Sequence, residues 1–191
     1  MGFGHTLVCG IDEAGRGPWA GPVVAAAVIL DLRSIPDGLN DSKKLDHKTR
    51  EELYDPICAS SEFGIGIVDA PTIDAINILQ ATYLAMQRAV AALKSIPHLA
   101  LIDGNRAPRL GCHAQTIIGG DAKSLSIAAA SILAKVTRDR MMVELDKEFP
   151  DYGFASHKGY GTPLHQAALT KFGPVSIHRK SFKPVAATLG R

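Results

Sequence analysis

Short apolar runs of strand length alternate along this chain with longer segments whose apolar residues recur every three or four positions, and that alternation restricts the fold more than any other feature. "TLVCGI" (6–11), "GPVVAAAVILD" (21–31), "EFGIGIVD" (62–69), "HLALID" (98–103) and "AQTIIGGD" (114–121) read as five strands. They are brief, bounded by Gly, Pro or Asp, and rich in Val, Ile and Ala. Asp46 suits the N-cap of a helix over 47–59. Pro71 and Thr72 open a long helix whose Ile76, Leu79, Tyr83, Met86, Val90 and Leu93 share one face. Further helices are expected over 122–148 and 162–172. Strands separated by helices define an α/β protein. The length suits one domain over 1–191, with residues from about 160 as a C-terminal helix and tail.

Three of these strands end in acids: Asp12-Glu13, Asp103 and Asp121. Sites in open α/β sheets form beyond strand ends, on loops that the sheet holds. Carboxylates brought together there repel, by roughly 4 kcal/mol for a pair 4 Å apart at an effective dielectric near 20. A divalent cation removes that repulsion, and oxygen-only ligands suit Mg²⁺ or Mn²⁺ rather than zinc. Each acid also has a plainer reading. Asp121 suits an N-cap, Asp103 in "DGN" suits a turn, and Asp12-Glu13 suits a solvated turn. Neighbours on a regular strand face opposite sides, so Asp12 and Glu13 share a site only where the strand ends or bends, as Ala14-Gly15 permits.

Composition excludes several classes. Net charge is +2, with 46% hydrophobic and 21% charged residues, which is ordinary for a soluble globular protein and unlike a polybasic or acidic tail. A local basic patch for nucleic acid is compatible with so small a total. Cys9, Cys58 and Cys112 lie far apart with no CxxC pair, pointing to reduced thiols in a cytoplasmic protein. There is no signal-peptide pattern ahead of Asp12, and the longest apolar run is too short for a bilayer. No GxxxxGK[ST] run is present, so "GRGP" is not a P-loop.

Seven segments, in order, resemble the motifs of bacterial ribonuclease HII, the type 2 ribonuclease H: "GIDEAGRGPWAGPVVAAAV", "LNDSKKL", "INILQATYLAM", "LIDGN", "GDAKSLSIAAASILAKVTRDR", "GFASHKGYGTPLH" and "HRKSF". The resemblance runs from about residue 9 to residue 184. It implies a ribonuclease H-like fold, with a five-stranded mixed sheet flanked by helices and a helical C-terminal portion. It implies cleavage of the RNA strand of RNA–DNA hybrids, and cleavage 5′ of single ribonucleotides embedded in duplex DNA, leaving 5′-phosphate and 3′-hydroxyl ends. The family's four metal-binding acids fall on Asp12, Glu13, Asp103 and Asp121, fitting two-metal hydrolysis with Mg²⁺ or Mn²⁺.

By the same resemblance, Gly15, Arg16 and Gly17 set backbone groups against the ribonucleotide, because glycine lets the main chain approach closely. Tyr160 corresponds to a tyrosine that bonds the 2′-hydroxyl, the group that marks RNA. Ser42 and Lys43 correspond to substrate-binding residues, and Asn77 is a weaker candidate. Arg16 suits either a phosphate or a clamp on the site's own acids. Lys123, Lys135 and Arg138 are candidate contacts to the nucleic-acid backbone. His157, His165 and His178 read as loop or packing residues, and Trp19 as buried beside the first motif. Gly119 is a departure, since the family often carries a basic residue there. The ending "KSFKPV" is no clear sliding-clamp peptide, and a monomer is expected.

Overall fold

The structure, a computed structural model, describes residues 7–42 and 44–189. Five strands, β1 (Val8–Ala14), β2 (Val23–Leu30), β3 (Ser61–Val68), β4 (Leu99–Asp103) and β5 (His113–Ile117), form one sheet in the order β3-β2-β1-β4-β5. β1 pairs antiparallel with β2, and β2 with β3, whereas β4 runs parallel to β1 and to β5. The sheet is therefore mixed and five-stranded. Its helices are α1 (His47–Ser60), α2 (Ala70–Ala91), α3 (Leu125–Glu148), α4 (Phe154–His157), α5 (Pro163–Phe172) and α6 (Lys183–Ala186).

Side chains on a strand alternate between faces, and here the two faces have separate cores. Val23, Ala25, Ala27 and Ile29 of β2 join Cys9 and Ile11 of β1 in a cluster completed by Ile73, Ala81, Ala85 and Met86 of α2. Ala26 and Val28 join Leu53 and Ile57 of α1 and the Ala129–Val136 stretch of α3. That explains why β2 is an unbroken apolar run: both of its faces are covered. Gly66 admits α2 onto the sheet, since a Cβ there would lie 1.9 Å from the Ala85 carbonyl oxygen. A third cluster, with Ala20, Met142, Tyr152, Phe154 and Ala168, ties the C-terminal segment to the base of α3.

The boundaries differ from the sequence reading where the site lies. β1 does not stop before the acids; it continues through them to Ala14. β5 ends at Ile117, so Asp121 sits on a 3-10 turn, Gly120–Ala122, and α3 starts only at Leu125. The long helix α2 is broken at Asn77, where φ is 67° and ψ 162°. The Asn77 Oδ1 accepts from the N–H groups of Leu79 (3.0 Å) and Gln80 (3.1 Å), recapping the second half. Asparagine tolerates positive φ and supplies the capping oxygen, whereas apolar periodicity continues unbroken across the kink and hides it.

Candidate active site

The sheet's alternation sorts the four acids. Asp12 lies on the α3 face of β1, opposite Cys9 and Ile11. Asp103 lies on the same face of β4, since Ala100 and Ile102 point the other way. Asp121 arrives from the turn that leads into α3. One carboxylate oxygen from each of these three lies within 4.8 Å of the others. Glu13 is outside that trio. It faces the α2 side, where with Arg16 and Asp103 it lines a cavity of about 310 Å³ walled by Leu79, Tyr83 and Met86. The continuation of β1 through the acids is what separates these neighbours.

Each of the three clustered acids accepts from the main-chain N–H of another residue. Asp12 Oδ1 accepts from the Glu13 N–H at 2.7 Å, Asp103 Oδ1 from Gly120 at 2.7 Å, and Asp121 Oδ1 from Ala122 at 3.0 Å. Burial, and then the charges of Glu13 and Asp103, push the Asp12 carboxyl well above the ordinary carboxylate range. The Ser131 hydroxyl of α3 bonds Asp12 and works in the opposite direction. Three hard oxygen donors within 4.8 Å of one another, one of them buried to 5% exposure, fit a divalent cation. Ser42 is buried and its hydroxyl meets that of Ser131, so it reaches the acids through a hydroxyl chain. Lys43 lies outside the described residues. Arg16 takes the clamp alternative: its Nη1 is 3.3 Å from Glu13 Oε1, with the side chain half exposed.

Tyr160 stands beside the glycine loop. A Cβ built on Gly17 would lie 3.8 Å from its ring, and 44% of the residue is exposed. The two loops are stitched together: the Trp19 N–H donates to the Gly159 carbonyl (2.8 Å), and the Arg179 N–H to the Trp19 carbonyl (2.8 Å). Trp19 is half-buried against Gly161, whose own Cβ would strike the indole at 2.1 Å. The remaining basic candidates have partners within the chain. Lys135 pairs with Asp139 (2.8 Å) and Lys123 donates to the Ile118 carbonyl (2.6 Å). Arg138 is buried to 1% exposure and cannot meet a nucleic-acid backbone as the sequence reading allowed. Gly119 adopts the left-handed conformation, φ 63°, which a side chain there would strain.

Beneath Tyr160 lie the three histidines, and their partners set every tautomer. The Val175 N–H donates to His178 Nδ1 (3.0 Å), so His178 Nε2–H donates to His165 Nε2 (3.0 Å). His165 Nδ1–H then donates to the Tyr160 carbonyl (2.9 Å). Likewise the Gly159 N–H donates to His157 Nδ1 (3.2 Å), and His157 Nε2–H donates to the Tyr152 carbonyl (2.8 Å). On His165 and His178 an added proton would face another N–H, which with burial favours the neutral rings. Burial, with His165 beside it, pulls His178 down to about 4. This folded value is below the unfolded one, near 6.5, so its contribution is complete above pH 6.5 and is lost as pH falls toward 4. By pH 5 the loss reaches about 2 kcal/mol, a fall in Tm of roughly 4–8 °C. Thermal unfolding from pH 7.5 to 5 tests this; a flat Tm that His178→Asn leaves unaltered would contradict the neutral chain.

A mixed sheet with carboxylates gathered where parallel strands β1 and β4 end, beside a glycine loop, defines a metal-dependent nuclease of the ribonuclease H-like class. The model of the ribonuclease HII family matches residues 9–185, and the chain belongs to that family. It is 60% identical over 184 residues to a ribonuclease HII of Parvibaculum lavamentivorans, covering 96% of this chain and 68% of that one. It is 58% identical to one from Burkholderia ambifaria, covering 96% and 85%. Among solved structures it resembles the ribonuclease H2 of Pyrococcus horikoshii OT3, with a TM-score of 0.80, 26% identity, and 96% and 97% of the two chains covered. As a family member it is a metal-dependent endonuclease acting on RNA–DNA hybrids. No helix among the described residues is long and apolar enough to cross a membrane.

Proposed function

We propose that the chain also nicks duplex DNA on the 5′ side of single embedded ribonucleotides, leaving 5′-phosphate and 3′-hydroxyl ends. In this reading residues 1–191 form one catalytic domain that works as a monomer in the cytoplasm. The observation that carries it is the placement of Tyr160 against Gly17, beside three acids whose oxygens lie within 4.8 Å. Asp12, Asp103 and Asp121, joined by Glu13 from across the strand, would hold two Mg²⁺ or Mn²⁺ ions. Bound there, such ions supply an activated water and offset charge on the leaving 3′-oxygen. The protein's own groups do the rest. Gly15, Arg16 and Gly17 offer main-chain groups to the sugar, and the Tyr160 hydroxyl meets the 2′-hydroxyl that DNA lacks. Arg16 holds Glu13 in place through the contact at 3.3 Å. Ser42 steadies Asp12 through Ser131, and Lys43 supplies a cation for a neighbouring phosphate.

Nicking of a duplex carrying one ribonucleotide, assayed with Mg²⁺ and with Mn²⁺, tests the reading. Tyr160→Ala is expected to lower that activity by about tenfold or more, the scale of about 1–3 kcal/mol for one lost polar contact. Its exposed position predicts a Tm within about 2 °C of wild type. Equal cleavage by the variant, or no nicking by the wild type, would end the proposal.

A further inference from the structure

The glycine loop and the turn after it are held from below by two arginines that the metal chemistry does not use. Arg138, on α3, and Arg179, between α5 and α6, are 1% and 0% exposed. Among the described residues neither forms an ion pair; each spends its donors on main-chain carbonyls. Arg179 Nη1 bonds the Arg16 carbonyl (2.9 Å), Nη2 bonds those of Gly15 and Gly21, and Nε that of Gly21 (3.1 Å). Arg138 Nε bonds the Pro22 carbonyl (2.9 Å), Nη2 that of Ala20 (3.1 Å), and Nη1 that of Lys158 in the tyrosine loop (3.0 Å). Gly15 is required at its position, with φ at 94° and Arg138 Nε only 2.0 Å from where a Cβ would stand.

An arginine buried without a carboxylate is expensive unless something needs its charge and its fork. Peptide groups have two ends. With the carbonyls of Gly15 and Arg16 drawn inward to Arg179, the N–H groups of Arg16 and Gly17, at the opposite ends of the same peptides, point away from it. Among the described residues, no hydrogen bond occupies either of these N–H groups. We infer that Arg179 and Arg138 are positioning residues that aim the Arg16–Gly17 N–H groups at an oxygen of the ribonucleotide, with Arg138 fixing the tyrosine loop to the same frame. The buried charges also polarise those peptides, strengthening their donors. This rests on the proposed reading of the 2′-hydroxyl by this loop and adds the residues that make it rigid.

The test is the ratio of Kd values for an all-DNA duplex and the same duplex carrying one ribonucleotide, measured with Ca²⁺ in place of the catalytic ion. Arg179→Lys keeps the charge but lacks the fork. It is expected to lower that ratio about tenfold and to raise KM for nicking by a similar factor, with kcat within about threefold, because a ground-state contact is lost. Mn²⁺ affinity, read by calorimetry, should stay within about twofold, since the acids are held by other elements. Arg138→Lys is the second variant should Arg179→Lys fail to fold. In either folded variant, the amide resonances of Arg16 and Gly17 should shift while those of β4 and β5 stay. An unchanged ratio, or a ratio that falls only together with Mn²⁺ affinity and kcat, overturns the inference. If Gly17→Ala and Tyr160→Ala lower the ratio while both arginine variants keep it, the positioning role alone fails. If the wild type shows no preference for the ribonucleotide, the underlying reading fails with it.

Discussion

Asp12→Asn is expected to lower hybrid cleavage by at least about a thousandfold and, in the metal-free protein, to raise stability rather than reduce it. The first effect follows from the ligand set. Asp12 is the most buried of the clustered carboxylates, and a neutral amide replaces a charged oxygen with a weak donor to a hard cation. The loss is of the order of 4 kcal/mol in the barrier, each 1.36 kcal/mol being tenfold in rate. The second effect follows from the pKa. Burial and the charges of Glu13 and Asp103 raise the folded-state value, so the folded protein holds its proton more tightly than the unfolded chain does. The penalty therefore begins as pH rises past the unfolded value, near 3.9, and is complete above the folded value. At neutral pH the wild type carries that penalty and the amide does not. Activity and metal-free Tm should move in opposite directions, and adding Mn²⁺ should raise Tm in the wild type but little in the variant. Cleavage near the wild-type rate would show that Asp12 is not a ligand. A lower metal-free Tm would show that the repulsion is not what the geometry implies.

Much of this site was legible because charge leaves a mark on sequence that packing does not. Acids at the ends of apolar runs stand out, and Asp12, Asp103 and Asp121 do meet. The five strands, the α/β class and the mixed order implied by the family resemblance agree with the sheet found. Glu13 shows the limit. Adjacent residues on a strand face apart, and only the end of β1 at Ala14, rather than before Asp12, reveals that Glu13 belongs to the α2 side. Asn77 shows another, since a capping asparagine inside a periodic helix looks polar and nothing more.

The arginines were misjudged or missed for a different reason. Sequence supplies no sign of burial for a cation, so Arg138 reads as a candidate contact to the nucleic-acid backbone and Arg179 only as part of the "HRKSF" segment. Their partners are carbonyls, which every residue owns and no pattern advertises. The neighbouring Gly15, Gly21 and Gly159 are the one available signal. At each of them a Cβ would collide with a side chain or carbonyl of the clamp or its surroundings, so the glycines mark where something large lies underneath. His165 and His178 read from sequence as loop or packing residues, and their role under Tyr160 depends on ring nitrogens 13 residues apart meeting across a turn.

Gly10→Ala is expected to be the most damaging single methyl that can be added near the site. Gly10 sits in β1 two residues before Asp12, on the face that α3 covers. An added Cβ would lie 2.1 Å from the Ser126 carbonyl carbon and 2.3 Å from the Ile127 nitrogen, both backbone atoms at the start of α3. No rotamer relieves a backbone contact; the helix start must move by more than 1 Å for ordinary packing at about 3.5–4 Å. Overpacking of this kind typically costs about 1–3 kcal/mol, and a rigid helix against a central strand places the change at the upper end or beyond. Activity should suffer before stability does. The start of α3 at Leu125 is joined to Asp121 by the short 3-10 turn, and Ser131, one to two turns further on, bonds Asp12. Shifting α3 away from β1 therefore separates Asp121 from Asp12 and Asp103 and weakens the grip on a divalent ion. The expected result is a Tm lower by about 6–12 °C, at roughly 2–4 °C per kcal/mol for a chain of this size, with Mn²⁺ affinity reduced about tenfold or more in the protein that still folds. Gly38→Ala, in a loop where a Cβ meets nothing within 4 Å, serves as the comparison for adding a methyl without a collision. Its φ of 86° predicts a small loss of stability from strain alone and no change in metal binding. If Gly10→Ala were to match Gly38→Ala in both measurements, α3 would not be seated on β1 at this glycine, and the link from strand packing to the alignment of the acids would be broken.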